Sequence, residues 1–108
     1  VACALADGES LISGASELRV KETDRIRSMA AGLNALGGKV KELPDGCVIE
    51  GVDDFQSARV RSFGDHRTAM ALAIASLASR GEVLIEGVEC IQTSYPEFAK
   101  DFRALRRL

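Results

Sequence analysis

Ala58-Arg59-Val60-Arg61-Ser62-Phe63-Gly64-Asp65-His66-Arg67-Thr68-Ala69-Met70-Ala71-Leu72-Ala73-Ile74 compresses a strand, a turn and a helix into one run. Polar and apolar side chains alternate from Ala58 to Phe63, Gly64-Asp65 breaks the alternation, and Asp65 is a natural N-cap. The helix that follows, His66 to about Ser79, carries Ala69, Met70, Leu72, Ala73, Ile74 and Leu77 around most of its circumference. That pattern predicts burial on more than one side. Arg80-Gly81 ends the helix, and Val83 to Glu86 reads as the next strand.

Upstream, the same order occurs once before. Ser10 to Ser13 reads as a short strand entering a Gly-Ala-Ser turn, after a helix end over Val1 to Ala6. Thr23 is a plausible N-cap for a helix with Ile26, Met29, Ala30, Leu33 and Leu36 at helical spacing, stopped by Gly37-Gly38. Lys39 to Leu43, Pro44-Asp45-Gly46 and Cys47 to Glu50 form a predicted hairpin, and Gly51 to Ser57 a polar connection. Strand, cationic turn, helix, glycine and strand therefore appear twice, with Arg25 and Arg67 in matching places. This weak repeat favours an α/β fold with parallel strands joined by crossovers, plus one antiparallel hairpin. Downstream, Ser94-Tyr95-Pro96-Glu97 fits a capping box ahead of a helix with Tyr95, Phe98, Phe102 and Leu105 on one face. Arg103, Arg106 and Arg107 suit its C-terminus.

Both helix starts carry cations: Arg19, Lys21 and Arg25 at the first, His66 and Arg67 at the second. Positive charge at the positive end of a helix dipole is unfavourable unless an anion joins it, so the two segments point to one shared anionic ligand. Arginine offers a planar fork to carboxylate or phosphate. Glu22, beside Lys21 and three residues before Arg25, is held ionised by its cationic neighbours until an anion neutralises them, whereupon it can exchange a proton. His66 can donate, accept or orient. The same cluster also fits a plain solvated helix start with surface ion pairs.

Composition narrows the choices. The 108 residues are one domain or a piece of one, and 46% apolar content is enough for a packed core. A net charge of -2 with interspersed signs supplies no field for nucleic acid or anionic lipid. The longest strongly apolar stretch, Thr68 to Ala78, is too short to span a bilayer, so a cytoplasmic protein with neither membrane nor nucleic-acid partner is expected. Cys3, Cys47 and Cys90 form no CxxC or metal-ligand pattern and read as reduced packing residues. The chain opens on Val1 at what reads as a helix end, which suggests a fragment.

Leu18-Arg19-Val20-Lys21-Glu22-Thr23-Asp24-Arg25-Ile26, Asp65-His66-Arg67-Thr68-Ala69-Met70 and Thr93-Ser94-Tyr95-Pro96-Glu97-Phe98 resemble, in order and separation, signatures of the 5-enolpyruvylshikimate-3-phosphate synthase family. The resemblance spans the whole chain. It implies an inside-out α/β barrel of repeated βαβαββ units, of which residues 1–108 are a partial domain, the C-terminal part of one of two domains. It implies transfer of the enolpyruvyl group of phosphoenolpyruvate to the 5-hydroxyl of shikimate 3-phosphate in aromatic amino-acid biosynthesis, with no metal and no cofactor. Lys21 would contact shikimate 3-phosphate, Glu22 would exchange a proton with the methylene carbon, Arg25 and Arg67 would clamp phosphoenolpyruvate, and His66 would sit against the reacting phosphate and hydroxyl. Thr93 stands where some members carry a lysine. The family's aspartate for the hydroxyl proton would lie upstream of Val1, so the fragment alone should be inactive; with part of the helix from His66 left uncovered it should also be prone to self-association, its parent a monomer. Two alternatives are a UDP-N-acetylglucosamine enolpyruvyl transferase relative, against which His66 argues, and a non-catalytic anion-binding module.

Overall fold

In the computed structural model, which describes residues 1–106, two aspartates start the two main helices. Asp24 accepts from the Arg27 backbone N–H at 3.1 Å and opens α2 (Arg25–Ala35). Asp65 accepts from the Arg67 N–H at 3.0 Å and opens α3 (His66–Ala75), which tightens into a 3₁₀ turn at Ser76–Ala78. The cap of α2 is therefore Asp24 rather than Thr23. Its extended backbone (φ -71°, ψ 96°) lets the carboxylate turn back onto the third helical N–H.

A four-residue helix α1 (Ala2–Leu5) leads into β1 (Glu9–Ile12), then a 3₁₀ helix over Ser16–Val20 and α2. After α2 come β2 (Lys39–Leu43) and β3 (Gly46–Glu50), the predicted hairpin. β3 lies between β1 and β2 and is antiparallel to both, in the order β1-β3-β2. The expected parallel neighbours around α2 are thus separated: β1 and β2 run the same way, but the hairpin return strand occupies the place between them. Gly46 makes this possible, because a Cβ there would lie 1.8 Å from the Ile12 carbonyl oxygen. Parallel pairing with an intervening helix holds for β4 (Ala58–Arg61) and β5 (Val83–Glu86), joined by α3.

The core is built from Ala4 of α1, Leu33 and Leu36 of α2, Ile49 of β3, Phe55, Val60 of β4, and Leu72 and Ala75 of α3. Gly32 brings the helices close, since a Cβ at that position would meet Leu72 Cδ2 at 2.7 Å. α3 packs against α2, β5 and the 3₁₀ segment Val88–Thr93, burying Ala69, Leu72 and Ala75, but Ile74 and Leu77 remain 46% and 56% exposed. The helix is thus covered on more than one side, as expected, except at Ile74 and Leu77. Cys3, Cys47 and Cys90 are half-buried free thiols, and burial pushes the Cys47 thiol upward.

Two further departures concern segments read as plain connections. Phe55, inside the supposed polar linker, is completely buried, and it bridges β-fashion to Ser79 through Phe55 N–H to Ala78 O (2.9 Å) and Arg80 N–H to Phe55 O (3.0 Å). A lone aromatic among Asp, Gln and Ser has no periodicity to reveal it. At the other end, α4 (Phe98–Arg106) begins four residues after Ser94, too late for the expected capping box; the Tyr95 carbonyl accepts from Phe98 N–H instead, at 3.0 Å. The aromatic face is present as an edge-to-face Tyr95–Phe98 pair and a stacked Phe98–Phe102 pair, each 5.6 Å between centroids, but Leu105 is exposed. Arg103 and Arg106 lie in the last turn of α4, and Arg107 falls outside the described residues.

Phe55→Ala should cost about 3–5 kcal/mol, as for other buried aromatics, and it also loosens the anchor between the ends of α2 and α3. Urea unfolding followed by circular dichroism measures this. A loss below about 1 kcal/mol would contradict the assignment of Phe55 to the core.

Candidate anion-binding site

The two helix starts meet. From the first position of α2, the Arg25 guanidinium crosses to the residue capping α3, donating through Nε to Asp65 Oδ2 at 2.7 Å and through Nη2 to Oδ1 at 3.4 Å. Nη2 also donates to Glu22 Oε2. Asp65 is fully buried, the Arg25 side chain is 12% exposed and that of Glu22 is 55% exposed. One turn into each helix, Ser28 Oγ and Thr68 Oγ1 share a buried hydrogen bond of 3.1 Å, and Thr68 Oγ1 reaches Asp65 Oδ2 at 3.5 Å. Every buried polar side-chain atom among the described residues has a partner. This is the condition under which a buried charge pair is tolerated rather than ruinous.

The electrostatics follow from these contacts. Burial pushes the Asp65 carboxyl upward, but the Arg25 hydrogen bond, the Arg67 amide and the charges of Arg25 and His66 outweigh it and leave the group below the ordinary aspartate range. Glu22 is also lowered, first by its own backbone N–H and then by Arg25 and His66, against desolvation and the Asp65 charge. The His66 ring lies with Nδ1 3.9 Å from Asp65 Oδ1. Arg67 makes no side-chain hydrogen bond or ion pair among the described residues. It lines, with Arg25 and Thr68, the polar end of a groove of about 290 Å³ whose other walls are apolar, Ile26 and Met29 of α2 and Ile12 of β1 among them.

Of the residues singled out from sequence, Arg25, Glu22 and His66 are brought around Asp65, and Arg25 and Arg67 share a groove. Lys21 is placed on the adjoining turn, where its ammonium lies 3.9 Å from Glu17 Oε2 and makes no ion pair with the cluster. Arg19 is not available to a ligand. It donates to Pro44 O, Leu43 O, Asp24 and Glu42, and so belongs to the scaffold. The expectation that the cationic starts need an outside anion is corrected in one respect: Asp24 and Asp65, one before each helix, already supply anions. Sequence reasoning credited Asp65 with capping only. Its second oxygen was the missed signal, because an N-cap carboxylate uses one oxygen on the helix and has another to offer. Among the described residues no group of three His, Cys, Asp or Glu side chains is arranged to hold a metal, and no helix is long and apolar enough to cross a membrane.

Comparison with known proteins bears on what such a site belongs to. A family model for EPSP synthase (3-phosphoshikimate 1-carboxyvinyltransferase) matches residues 1–102. The chain belongs to the EPSP synthase family. It is 51% identical over 98 residues to the 3-phosphoshikimate 1-carboxyvinyltransferase of Geobacter sulfurreducens, covering 91% of this chain and 23% of that protein. A relative of the same name from Syntrophomonas wolfei is 52% identical over 99 residues, with 91% and 23% covered. Among solved structures, an EPSP synthase from Acinetobacter baumannii superimposes with a TM-score of 0.87 at 40% identity, covering 92% of this chain and 24% of that one. The mixed α/β fold is thus a partial domain of this family's architecture, and the chain spans about a quarter of the length of the relatives it matches.

Because the folded Asp65 carboxyl is held below its usual value, the stability it contributes is present above the unfolded pKa of about 3.9 and disappears as pH falls through the lower folded value. Asp65→Asn should therefore cost about 3 kcal/mol or more near neutrality, where it strands a buried guanidinium. The difference from the unsubstituted chain should shrink at pH 3. Urea midpoints at the two pH values measure it, and a gap independent of pH would contradict the ionised pair.

Proposed function

We propose that this chain supplies the α2/α3 half of an active site transferring enolpyruvyl from phosphoenolpyruvate to the 5-hydroxyl of shikimate 3-phosphate, with release of phosphate. The observation that carries the reading is the pairing of Arg25 with two unequal carboxylates, one buried and fixed, one exposed and exchangeable. An incoming phosphate or carboxylate competes with Glu22 for the guanidinium, while Asp65 keeps Arg25 aimed. Arg67, unpaired across the mouth of the groove, is the second arm of the clamp.

Displaced from Arg25, Glu22 keeps its own backbone N–H but loses one of the charges that favour its ionised form, which eases proton uptake. In the proposed step it gives that proton to the methylene carbon of phosphoenolpyruvate, the adjacent carbon becomes cation-like, and the hydroxyl oxygen bonds to it as its own proton leaves to a base. The tetrahedral adduct then breaks its carbon–oxygen bond to phosphate and returns the methyl proton to Glu22, restoring the carboxylic acid. Lys21 neutralises shikimate 3-phosphate, and His66 hydrogen-bonds the departing phosphate or the hydroxyl. No metal or organic cofactor has a step in this scheme. The chain acts as the C-terminal part of one domain, in a cytoplasmic enzyme whose cleft is completed by residues beyond these 108. Alone it binds anions weakly and turns nothing over. The UDP-N-acetylglucosamine alternative is disfavoured by His66 and by the names of the relatives above, and a purely anion-binding module by the exposed, exchangeable carboxylate of Glu22 beside the clamp.

The test uses the Geobacter sulfurreducens enzyme with this chain in place of its matching quarter. Glu22→Gln should lower turnover by about 100-fold or more, the usual worth of a general acid–base group. Phosphoenolpyruvate affinity should hold or tighten, because the competitor for Arg25 has lost its charge. Isothermal titration and phosphate release separate the two, and a weakened affinity with unchanged turnover would reject the exchange. Arg67→Lys should raise KM for phosphoenolpyruvate by about tenfold, since a point charge replaces a fork. Unaltered kinetic constants would remove Arg67 from the clamp.

A further inference from the structure

Lys21, Glu22 and Thr23 sit in a bend between the 3₁₀ helix at Ser16–Val20 and the start of α2, and belong to neither. Of the three side chains, Lys21 and Glu22 are exposed, and neither is packed into the core. Something else must hold this stretch in place. Arg19, two residues before Lys21, uses four of its five N–H donors: Nε to Pro44 O at 3.0 Å, Nη1 to Asp24 Oδ2 at 2.8 Å and Glu42 Oε1 at 3.1 Å, and Nη2 to Leu43 O at 2.6 Å. Three of these partners lie on consecutive residues where β2 enters its turn. The fourth, Asp24, is the N-cap of α2, whose other oxygen binds Arg27 N–H. The same turn grips the chain further upstream, through Asp45 Oδ2 to Gly14 N–H at 2.9 Å and Asp45 O to Ala15 N–H at 2.7 Å. The segment from Gly14 to Asp24 is thus tied to the hairpin turn at one end and, through Arg19, to both the hairpin and the helix cap at the other.

We infer that Arg19 is a positioning residue for the acid–base step: its guanidinium closes a clasp over the hairpin turn and Asp24 that keeps the Lys21–Glu22 bend against the start of α2. This rests on the enolpyruvyl-transfer reading for its functional part. Phosphoenolpyruvate capture depends on Arg25, whose guanidinium is held by Asp65, and on Arg67, whose backbone N–H caps onto Asp65; neither side chain is held by Arg19. The clasp therefore acts on proton transfer and leaves anion binding largely alone. Only a planar fork can serve two backbone carbonyls and two carboxylates at once, so lysine at this position keeps the charge and loses the clasp.

Two measurements on Arg19→Lys test the inference, with Glu42→Gln, which removes one charge of the clasp and keeps an oxygen acceptor, as the milder variant should the first unfold. In the 108-residue chain, ¹⁵N relaxation should show the order parameters of Lys21, Glu22 and Thr23 falling from about 0.85 toward 0.6 while those of α3 are unchanged. In the Geobacter chimera, kcat should fall by about tenfold or more with KM for phosphoenolpyruvate within about twofold. Glu42→Gln should move both readouts the same way by less. Order parameters and kcat both unchanged, or a rise in KM matching the fall in kcat, would overturn the clasp. A chimera with no transfer before any substitution would instead overturn the reaction reading, and the relaxation data would still decide whether Arg19 orders the bend.

Discussion

A single buried carboxylate with an arginine across it organises this chain. Asp65 caps α3 with one oxygen and receives Arg25 from α2 with the other, so the same group ends one helix's backbone deficit and fixes the other helix's side chain. Such a pair contributes little to net stability over an apolar substitute, because desolvation of two charges offsets most of their attraction. Its value is in geometry. With the carboxylate immobile in the core, the guanidinium can be approached by a second anion only from the solvent side, and that is where Glu22 stands.

Two carboxylates on one arginine divide the work between permanence and exchange. Asp65 has no solvent exposure and further donors from Thr68 and the Arg67 amide, so its release would strand several buried groups at once. Glu22, more than half exposed, gives up only a surface contact with water ready to replace it. A ligand anion can therefore exchange with the second carboxylate without disturbing the first. The distinction needs no moving domain or loop; burial alone creates it.

Much of this could be read from the chain itself, and the rest could not for definite reasons. Hydrophobic spacing located α2 and α3, the turn residues Pro44-Asp45-Gly46 located the hairpin, and the repeated order of cation and helix brought Arg25 and Arg67 to one place. Strand neighbours were not legible, because alternation says which face of β1 is apolar and nothing about whether β2 or β3 lies beside it. Phe55 was hidden by polar neighbours. Arg19 and Arg25 look alike in sequence, both arginines in one cationic run, yet one is consumed by carbonyls of a hairpin twenty-odd residues away and the other faces the groove. Long-range hydrogen bonds of that kind leave no local pattern. The apolar circumference of α3 predicts burial on more than one side, which α2, β5 and Val88–Thr93 supply, but Ile74 and Leu77 are not covered within this chain, which spans about a quarter of its relatives' length.

Gly32 is two turns along α2 from Arg25, and there Leu72 of α3 rests where a side chain would begin. The gap between the two guanidinium-bearing helix starts is therefore gauged at a point remote from any charge, as the opening of a calliper is set near its pivot. A methyl group at that contact would press on the end of the Leu72 side chain, so that either the side chain or the spacing of the shafts would have to shift without any arginine having changed. The separation of the two charged helix starts is here written into an absence of atoms in the hydrocarbon interior.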